Sequence, residues 1–386
     1  MQDLKSQITE YAMQCGFDLV RVTSAEEFVR ERDIALDRIN DGHMDGLPWF
    51  TESRVRRGAN PETLLPGARS IICLGLSYLD EKAEEFGASG KGKIARYALV
   101  KDYHRAMKRR MKTLVIGLQK LLEIPLEAKW YVDDGPMLDR AAAARSGLGW
   151  FGKNTNILTS SHGSWILLGQ IITSLELEPD LPLSKNCGDC VICIDSCPTG
   201  ALVAPFVLDN ARCISYQTIE NHGAIPLEIR PLIEDWVFGC DICQDVCPVN
   251  RKANKPRHPI RKTETIQPTG TVDLVELLKL TEDKFQDQFQ GTPIMRAKRA
   301  GLQKNACVAL GNGQNKSAMP ALISTLSNPE PLVRGHAAWA LGEIGTCEAL
   351  SALKIARESE TDSYVVEEIQ EALKSAVDPG QIGQTR

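Results

Sequence analysis

The spacing of apolar residues predicts alternating helices and strands in the first part of the chain. Apolar side chains recur at helical spacing in residues 4–15, where Gly16 ends the helix, and again along residues 103–121. Short apolar runs bounded by turn signals predict strands in the sequences FDLVRVT, RSIICLGLSYL, AKWYVD and WILLGQIIT. We therefore expect residues 1–178 to form an α/β or α+β domain.

The pattern changes twice further along the chain. Prolines and clustered cysteines indicate a loop-rich module at residues 179–262, followed by a linker with helices at 263–300. Ala-Leu-Gly triplets then begin at Ala309 and, 31 residues later, at Ala340. A repeat of this period built from small-residue helices predicts an all-α, HEAT-like domain over residues 301–376, and residues 377–386 read as a tail.

Composition narrows the class of protein. With 386 residues the chain is long enough for two or three domains. A net charge of -5 gives no overall basic signature, so any nucleic-acid contact must come from local patches. The N-terminus lacks the pattern of a secretory signal, and the longest apolar stretch, residues 165–172, is shorter than the roughly 20 residues of a spanning helix. We expect a cytoplasmic monomer.

Twelve cysteines are present, and seven of them form two related runs. The first run reads C-x2-C-x2-C-x3-C-P from Cys187, and the second reads C-x2-C-x3-C-P from Cys240. In two-cluster ferredoxins the first three cysteines of such a run bind one 4Fe-4S cube, and the fourth binds the other cube. This crossed ligation assigns one cluster to Cys187, Cys190, Cys193 and Cys247, and leaves the second with Cys197, Cys240 and Cys243.

The second cluster needs one more thiolate. Cys213 lies between the two runs, whereas the other four cysteines, at positions 15, 73, 307 and 347, lie in apolar helices or strands where a thiol packs as a small hydrophobe. We therefore predict Cys213 as the eighth ligand, separated from Cys240 by an inserted segment, residues 214–239. A zinc site is the alternative, but seven cysteines are too many for one ion.

Several motifs together resemble one enzyme family. They are RRGANPETLLPGARSIICLGLSY, VDDGPMLDRAAAARSGLGWFGKNTNIL and RCISYQTIE, combined with the cysteine runs and the helical repeat. This combination is similar to epoxyqueuosine reductases. The resemblance implies an oxidoreductase that uses cobalamin and two 4Fe-4S clusters to convert epoxyqueuosine to queuosine at the wobble position of tRNA.

The same resemblance implies an external reductant, or an electron donor of the ferredoxin or flavodoxin type. A related cobalamin and iron-sulfur reductase acting on a small molecule, like the reductive dehalogenases, is the alternative enzyme. An electron-carrying or RNA-binding scaffold is the alternative outside enzymes. The length of the chain beyond its cysteine module favours an enzyme, because a bare two-cluster ferredoxin needs far fewer residues.

Asp134 is the expected proton donor. The resemblance implies this role, and the residue lies at the end of a predicted strand, just before a helix that Pro136 is expected to open. A helix N-terminus would lower the pKa of this carboxyl, so donation near neutral pH would require strong desolvation. The alternative role is an N-cap. Strand alternation is expected to turn Asp133 to the opposite face.

Cobalamin has many amide arms, so its site should offer amides, hydroxyls and backbone groups. The polar loop GKNTNILTSSHGS suits this, with a surface loop as the alternative. The predicted cofactor contacts are Arg57, Tyr97, Asp134, Lys153, Asn154, Thr159, Gln170 and Ser215. The segment DGHMDG also matches an Asp-x-His-x-x-Gly cobalt-ligand pattern through His43, but the resemblance favours cobalamin bound without it.

Local basic patches supply the expected contacts to tRNA. Two of them flank the linker before the helical repeat, and they are expected to bind phosphate, which gives affinity and salt dependence rather than sequence choice. A solvated surface is the alternative. The predicted contacts are Arg251, Lys252, Lys255, Arg296, Lys298, Arg299 and Lys304.

Overall fold

The computed structural model describes residues 4–79, 90–123, 125–254 and 270–377, which separate into two units. The described part of the first unit is residues 4–79, 100–123, 125–213 and 241–254. That of the second is residues 90–99, 214–240 and 270–377. The inserted segment therefore belongs to the unit that contains the helical repeat, and the boundaries drawn from the sequence stay a prediction.

The described strands and helices are numbered in chain order. The strands are β1 Leu19–Ser24, β2 Ser70–Ser77, β3 Lys91–Ile94, β4 Ala128–Tyr131, β5 Trp150–Phe151, β6 Ile157–Leu158, β7 Ile166–Thr173, β8 Leu202–Ala204, β9 Val207–Leu208, β10 Trp236–Phe238 and β11 Thr271–Asp273. The helices are α1 Leu4–Gln14, α2 Val29–Asn40, α3 Glu52–Ala59, α4 Pro61–Leu64, α5 Tyr103–Leu122, α6 Asp139–Arg145, α7 Ile192–Asp195, α8 Ile214–Ile219, α9 Ile242–Asp245, α10 Leu274–Leu278, α11 Glu282–Phe289, α12 Lys298–Asn312, α13 Met319–Thr325, α14 Pro331–Ile344, α15 Cys347–Ser359 and α16 Ser363–Val377.

The first unit contains a four-stranded sheet in the order β1-β2-β7-β4. Each neighbouring pair is antiparallel, so the unit is of the α+β type. Every residue of β2 is buried, because the strand lies inside the sheet and helices cover it. Gln170 of β7 is opposite Cys73 on one side and Tyr131 on the other, which places its side chain near the end of β4.

Helices α1 and α5 form where apolar spacing predicts them, and α5 packs on the sheet through Met107 and Met111 against Gly169. The helix expected to open at Pro136 is different, because it begins three residues later, at Asp139. Residues 132–138 therefore form a loop between β4 and α6, and this loop carries the expected proton donor.

The second unit combines a three-stranded sheet, in the order β10-β3-β11, with the helical repeat. In the repeat α12 packs on α14, and α14 packs on α16. The Ala-Leu-Gly triplets lie at these crossings. A β-carbon on Gly311 would lie 2.7 Å from the Trp339 side chain, and one on Gly342 would lie 2.8 Å from the Ala372 side chain. The glycines recur because the next helix approaches the backbone closely.

Within the described ranges, none of the helices is long and apolar enough to cross a membrane.

Lys304 of α12 does not lie on a surface. It is 0% exposed, and its Nζ donates to the backbone oxygens of Gln217, Asn221 and Gly223 at 3.3, 2.6 and 3.3 Å. Burial and then the charge of Arg230 lower the pKa of Lys304 to about 7, but three carbonyl acceptors match the three N–H bonds of an ammonium. The predicted phosphate contact by Lys304 is therefore wrong, because its charge is used inside the protein.

Other buried polar groups of the repeat also bind the inserted segment. Arg230 is 1% exposed and forms a double ion pair with Glu368 of α16, at 2.7 and 2.5 Å. Asn305 donates to the carbonyls of Thr218 and Val237, at 2.8 Å each. The segment is thus held by hydrogen bonds from α12 and α16 within the second unit.

Replacing Lys304 with methionine should destabilise the second unit by about 3 kcal/mol, because three buried carbonyls lose their donor. Lys298→Met is the matched control: it is exposed on the same helix and should change stability by less than about 0.5 kcal/mol. Urea unfolding of both variants measures the difference. Equal effects would show that the buried ammonium contributes nothing specific.

Candidate active site and metal centres

The first cysteine run and residues 241–247 of the second run lie together in the first unit. Each contains a single helical turn, α7 in the first run and α9 in the second, and the two turns pack against each other. Cys247, the last cysteine of the second run, packs in one apolar cluster with Cys187, the first cysteine of the first run, and with Trp150. The chain therefore brings a thiol of the second run to the first, as crossed ligation requires.

The pKa shifts of the thiols show which cysteines lie near one another. Burial, and then the proximity of Cys187, Cys247 and Cys190, raises the pKa of Cys193. Burial raises the pKa of Cys243 in the same way, and the next cause is Cys213. A raised pKa favours the neutral thiol, so these cysteines would have to lose their protons to bind a metal as thiolates.

Cys193 and Cys197 of the first run also raise the pKa of Cys243, so the two runs lie close together around this thiol. Among the described residues, no group of three or more His, Cys, Asp or Glu side chains is arranged so that it could hold one metal ion. That finding concerns sites for a single ion such as zinc. The four thiolates of a 4Fe-4S cube bind four different iron atoms and lie farther apart than the ligands of one zinc ion.

Polar side chains of the loop between β5 and β7 support the cysteine runs. Asn154 is buried and donates to the Cys243 carbonyl at 3.1 Å, and Lys153 donates to the Gly188 carbonyl at 2.7 Å. The buried Thr159 hydroxyl donates to Gly163 O at 2.9 Å. These three side chains, all predicted to contact the cofactor, thus form hydrogen bonds with the protein's own backbone. Their contact with a cofactor stays a prediction.

The loop that follows β4 presents two carboxylates to helix α5. Asp133 has φ of +45°, a left-handed conformation that aspartate tolerates better than most residues. Asp134 accepts a hydrogen bond from the Val132 N–H at 3.2 Å, and its other oxygen pairs with Lys108 of α5. The expectation that Asp133 faces away from Asp134 is wrong, because strand alternation ends with β4 at Tyr131.

Asp133 is bound by two neighbouring side chains of α5. The Tyr103 hydroxyl donates to one of its oxygens, and His104 Nε2 lies 2.6 Å from the other. The second ring nitrogen of His104 lies 2.6 Å from the carboxylate of Asp102, the N-cap of α5. Burial opposes the charge of His104, but hydrogen bonds to the two carboxylates outweigh it and raise the pKa.

Asp134 is held as a carboxylate in this position. Burial acts to raise its pKa, but the hydrogen bonds from Lys108 and from the Val132 N–H outweigh burial, and the net pKa is lowered. The lowered pKa of Asp134 agrees with the expectation from the sequence, but its physical cause is different. Because α6 starts only at Asp139, Asp134 is not its N-cap, and an ion pair rather than a helix N-terminus stabilises the charge.

The other side of the loop rests on α3. Arg54 donates to the Gly135 carbonyl, and a β-carbon on Gly58 would collide with the Pro136 carbonyl. Glycine is therefore needed at position 58 for α3 to approach the loop. Arg57, a predicted cofactor contact, is exposed in the last turn of the same helix.

Asp139 is a functional candidate that sequence reasoning missed. Burial, followed by the charge of Asp133, raises its pKa to about 7. Among the described residues, Asp139 Oδ1 and Gln170 Oε1 are buried acceptors without a hydrogen-bond partner. Gln170 Nε2 donates to the Asp139 carbonyl at 3.3 Å. Two orphaned acceptors fit a ligand that brings N–H donors. The sequence gives no sign of this, since Asp139 reads as an ordinary helix residue.

The other predicted residues are spread over the two units. Tyr97 and Ser215 lie in the second unit, and both are partly exposed. Arg251 and Lys252 are exposed in the first unit, and Lys255 lies outside the described residues.

The patch at the start of the repeat is largely neutralised. Arg296 pairs with Glu220, and Arg299 lies 3.2 Å from Glu282 and 3.4 Å from Glu330. Lys298 is exposed. Most of the positive charge that this stretch shows in sequence is thus compensated by acidic residues from elsewhere in the chain.

Family models match three parts of the chain. The model "Epoxyqueuosine reductase QueG, DUF1730" matches residues 58–134, which run from Gly58 to the carboxylate loop. A model of a 4Fe-4S double cluster binding domain matches residues 186–250, and a model of HEAT repeats matches residues 292–374. The fold expectation of a cluster module and a helical repeat is confirmed at this level.

Relatives and solved structures match nearly the whole chain. The epoxyqueuosine reductase of Bacillus cereus is 36% identical over 97% of both chains. A crystal structure of epoxyqueuosine reductase with an epoxyqueuosine-modified tRNA-Tyr stem loop has a TM-score of 0.90 at 33% identity, covering 97% of this chain and 99% of that one.

A structure from Bacillus subtilis, described with the Asp134 catalytic loop of that protein swung out of the active site, has a TM-score of 0.88 at 32% identity, covering 96% and 98%. Similarity of this extent, in sequence and in fold, shows that the chain belongs to the epoxyqueuosine reductases.

Proposed function

We propose that the protein reduces epoxyqueuosine to queuosine at the wobble position of tRNA, with Asp134 as a proton donor. The observation that carries the proposal is the first unit itself, where crossed cysteine runs and a loop with two carboxylates occur together. The relative solved with an epoxyqueuosine-modified stem loop supports tRNA as the substrate. Such a reaction places the enzyme in the cytoplasm, and we propose that it acts as a monomer.

The reaction sets what the site has to supply. Removing the epoxide oxygen requires two electrons and two protons, and it yields a carbon–carbon double bond and water. The eight cysteines would hold two clusters that would supply single-electron transfer from an external reductant, or from a donor of the ferredoxin or flavodoxin type, and bound cobalamin would supply the reducing chemistry at the epoxide. The protein's own residues bind and orient the tRNA substrate and donate a proton to the epoxide oxygen.

We propose eight cysteines as cluster ligands. The packing of Cys247 with Cys187 supports the first set. The place of Cys213 in the second set is supported by its effect on the pKa of Cys243, which is the largest of any neighbouring charge. The first cluster takes Cys187, Cys190, Cys193 and Cys247, and the second takes Cys197, Cys213, Cys240 and Cys243.

The residues at the start of α6 and on β7 fit cobalamin. Its amide arms carry N–H donors, and Gln170 Oε1 and Asp139 Oδ1 are buried acceptors that lack one. We propose these two atoms as contacts, with Asp134 at the reacting face. Arg57, Tyr97, Lys153, Asn154, Thr159 and Ser215 remain proposed contacts from the resemblance.

Exposed basic residues supply the proposed contacts to tRNA phosphates. Arg251 and Lys252 in the first unit and Lys298 in the second are exposed, which such a contact requires. Arg296 and Arg299 could contribute only by giving up their acidic partners. Recognition of the modified base itself requires that it leave the anticodon stack and enter the pocket.

Asp134→Asn should retain iron and corrinoid and lower kcat by about 10²–10⁴, because an amide cannot give a proton to the leaving oxygen. Asp133→Asn is the matched control and should cost less than about tenfold, since that carboxylate only holds the loop. Single-turnover reduction of an epoxyqueuosine stem loop measures both. Undiminished turnover by Asp134→Asn would remove it as the donor.

Cys213→Ser should lose one cluster, so that iron falls from about eight to about four atoms per chain. Cys15→Ser, which alters a thiol outside both runs, is the control and should keep all of the iron. Iron analysis with electron paramagnetic resonance of the reduced protein distinguishes the two. Full iron content with two unchanged cluster signals in Cys213→Ser would place the eighth ligand elsewhere.

A further inference from the structure

Two side chains of α5 bind the two carboxylates of the catalytic loop. His104 and Lys108 are four residues apart, so they lie on the same face of the helix, one turn apart. His104 binds Asp133, and Lys108 binds Asp134. Consecutive loop residues are thus held by consecutive turns of one helix.

The contact is built as a dock for the loop. Asp102 caps α5 by accepting the backbone N–H of His104 at 3.0 Å, and the same oxygen faces His104 Nδ1 at 2.6 Å. The Tyr103 ring stacks on the His104 ring, with centroids 4.1 Å apart, and its hydroxyl also binds Asp133. The imidazole is therefore held at Nδ1 by Asp102 and on one face by Tyr103, and its Nε2 contacts the loop.

The paired state of Asp134 conflicts with its proposed role. A donor must carry a proton, whereas a carboxylate that accepts from an ammonium and from the Val132 N–H is stable without one. Transfer from Lys108 is no solution, because the ordinary pKa values of lysine and aspartate differ by about six units in the wrong direction. The observed arrangement is therefore a resting position.

We propose that His104 and Lys108 are positioning residues that dock the Asp133–Asp134 loop on α5, and that Asp134 must leave Lys108 before it can carry a proton to the epoxide oxygen. This inference rests on the proposed function. Helix α5 thereby affects the protonation of Asp134. The carboxylate stays charged while Lys108 binds it, and it can take up a proton once it has left Lys108.

Other charged groups surround this contact. At the start of α5, Asp102 binds His104 and Arg105 pairs with Asp102, while Asp139 and Arg140 lie on α6 and Arg54 on α3. Asp139 and Arg140 act on Asp133, and Arg54 binds the backbone at Gly135. Among the loop's described contacts, Lys108 is the cation that touches the Asp134 carboxylate itself, and the charge of His104 also acts to lower the pKa of Asp134.

The dock holds within a pH window whose limits follow from the two pKa shifts. His104 has a raised pKa, so its grip on Asp133 is complete below about pH 6.5 and is lost as the pH rises through the raised value. Asp134 has a lowered pKa, so its bond to Lys108 is lost only as the pH falls through that value. The loop is therefore docked at pH values between the lowered pKa of Asp134 and the raised pKa of His104.

The test compares the pH profiles of kcat/KM for two variants, assayed with a chemical reductant. Lys108→Met removes the cation, so the pKa of Asp134 rises. A proton donor loses activity as the pH rises through its pKa, so this alkaline limb of the profile should move up by about one pH unit or more. Lys108→Arg keeps the charge and should keep the wild-type limb. Lys112→Met, exposed on the same helix, is the matched control and should change nothing.

Amide hydrogen exchange of residues 132–136 gives a second readout without turnover. Lys108→Met should speed exchange there about tenfold by freeing the loop, while Lys112→Met leaves it unchanged. An unshifted pH limb in Lys108→Met, with or without lower activity, would overturn the inference. If Asp134→Asn is inactive in the same assay, only the role of Lys108 fails; if Asp134→Asn is active, the proposed function fails.

Discussion

The contact between Cys247 and Cys187 is the constraint on which the first unit depends. Because two thiols 60 residues apart in sequence share one apolar cluster, the short turns α7 and α9 must lie side by side. The loop between β5 and β7 then covers them, with Asn154 on the Cys243 carbonyl and Lys153 on the Gly188 carbonyl. Polar residues that suggest a cofactor pocket in sequence thus also support the cysteine runs.

The carboxyls near β4 are in different charge states because of their surroundings. Lys108 and a backbone N–H keep Asp134 ionised, whereas burial beside Asp133 raises the pKa of Asp139 to about 7. Pairs of acids whose pKa values are pushed apart are common where protons move. At this site the ion pair with Lys108 and the burial of Asp139 shift the pKa values of neighbouring acids in opposite directions.

Residue spacing was sufficient to predict features that depend on local geometry. The cysteine runs predict the 4Fe-4S double cluster domain that the family model matches, and the Ala-Leu-Gly triplets mark helix crossings at Gly311 and Gly342. Features that depend on distant partners were not predictable. Lys304 reads as a surface cation because nothing in sequence shows the three carbonyls around it, and Arg299 reads as free because Glu282 and Glu330 come from other elements. Asp133 was misplaced because strand alternation stops at Tyr131.

The central claim is that one chain holds both clusters and cobalamin around the Asp134 loop. The most direct measurement is metal analysis with an absorption spectrum of the protein purified without oxygen and supplied with cobalamin. We expect about eight iron atoms and about one cobalt per chain, together with a corrinoid band. Protein that carries its iron but binds no corrinoid when it is supplied would contradict the account.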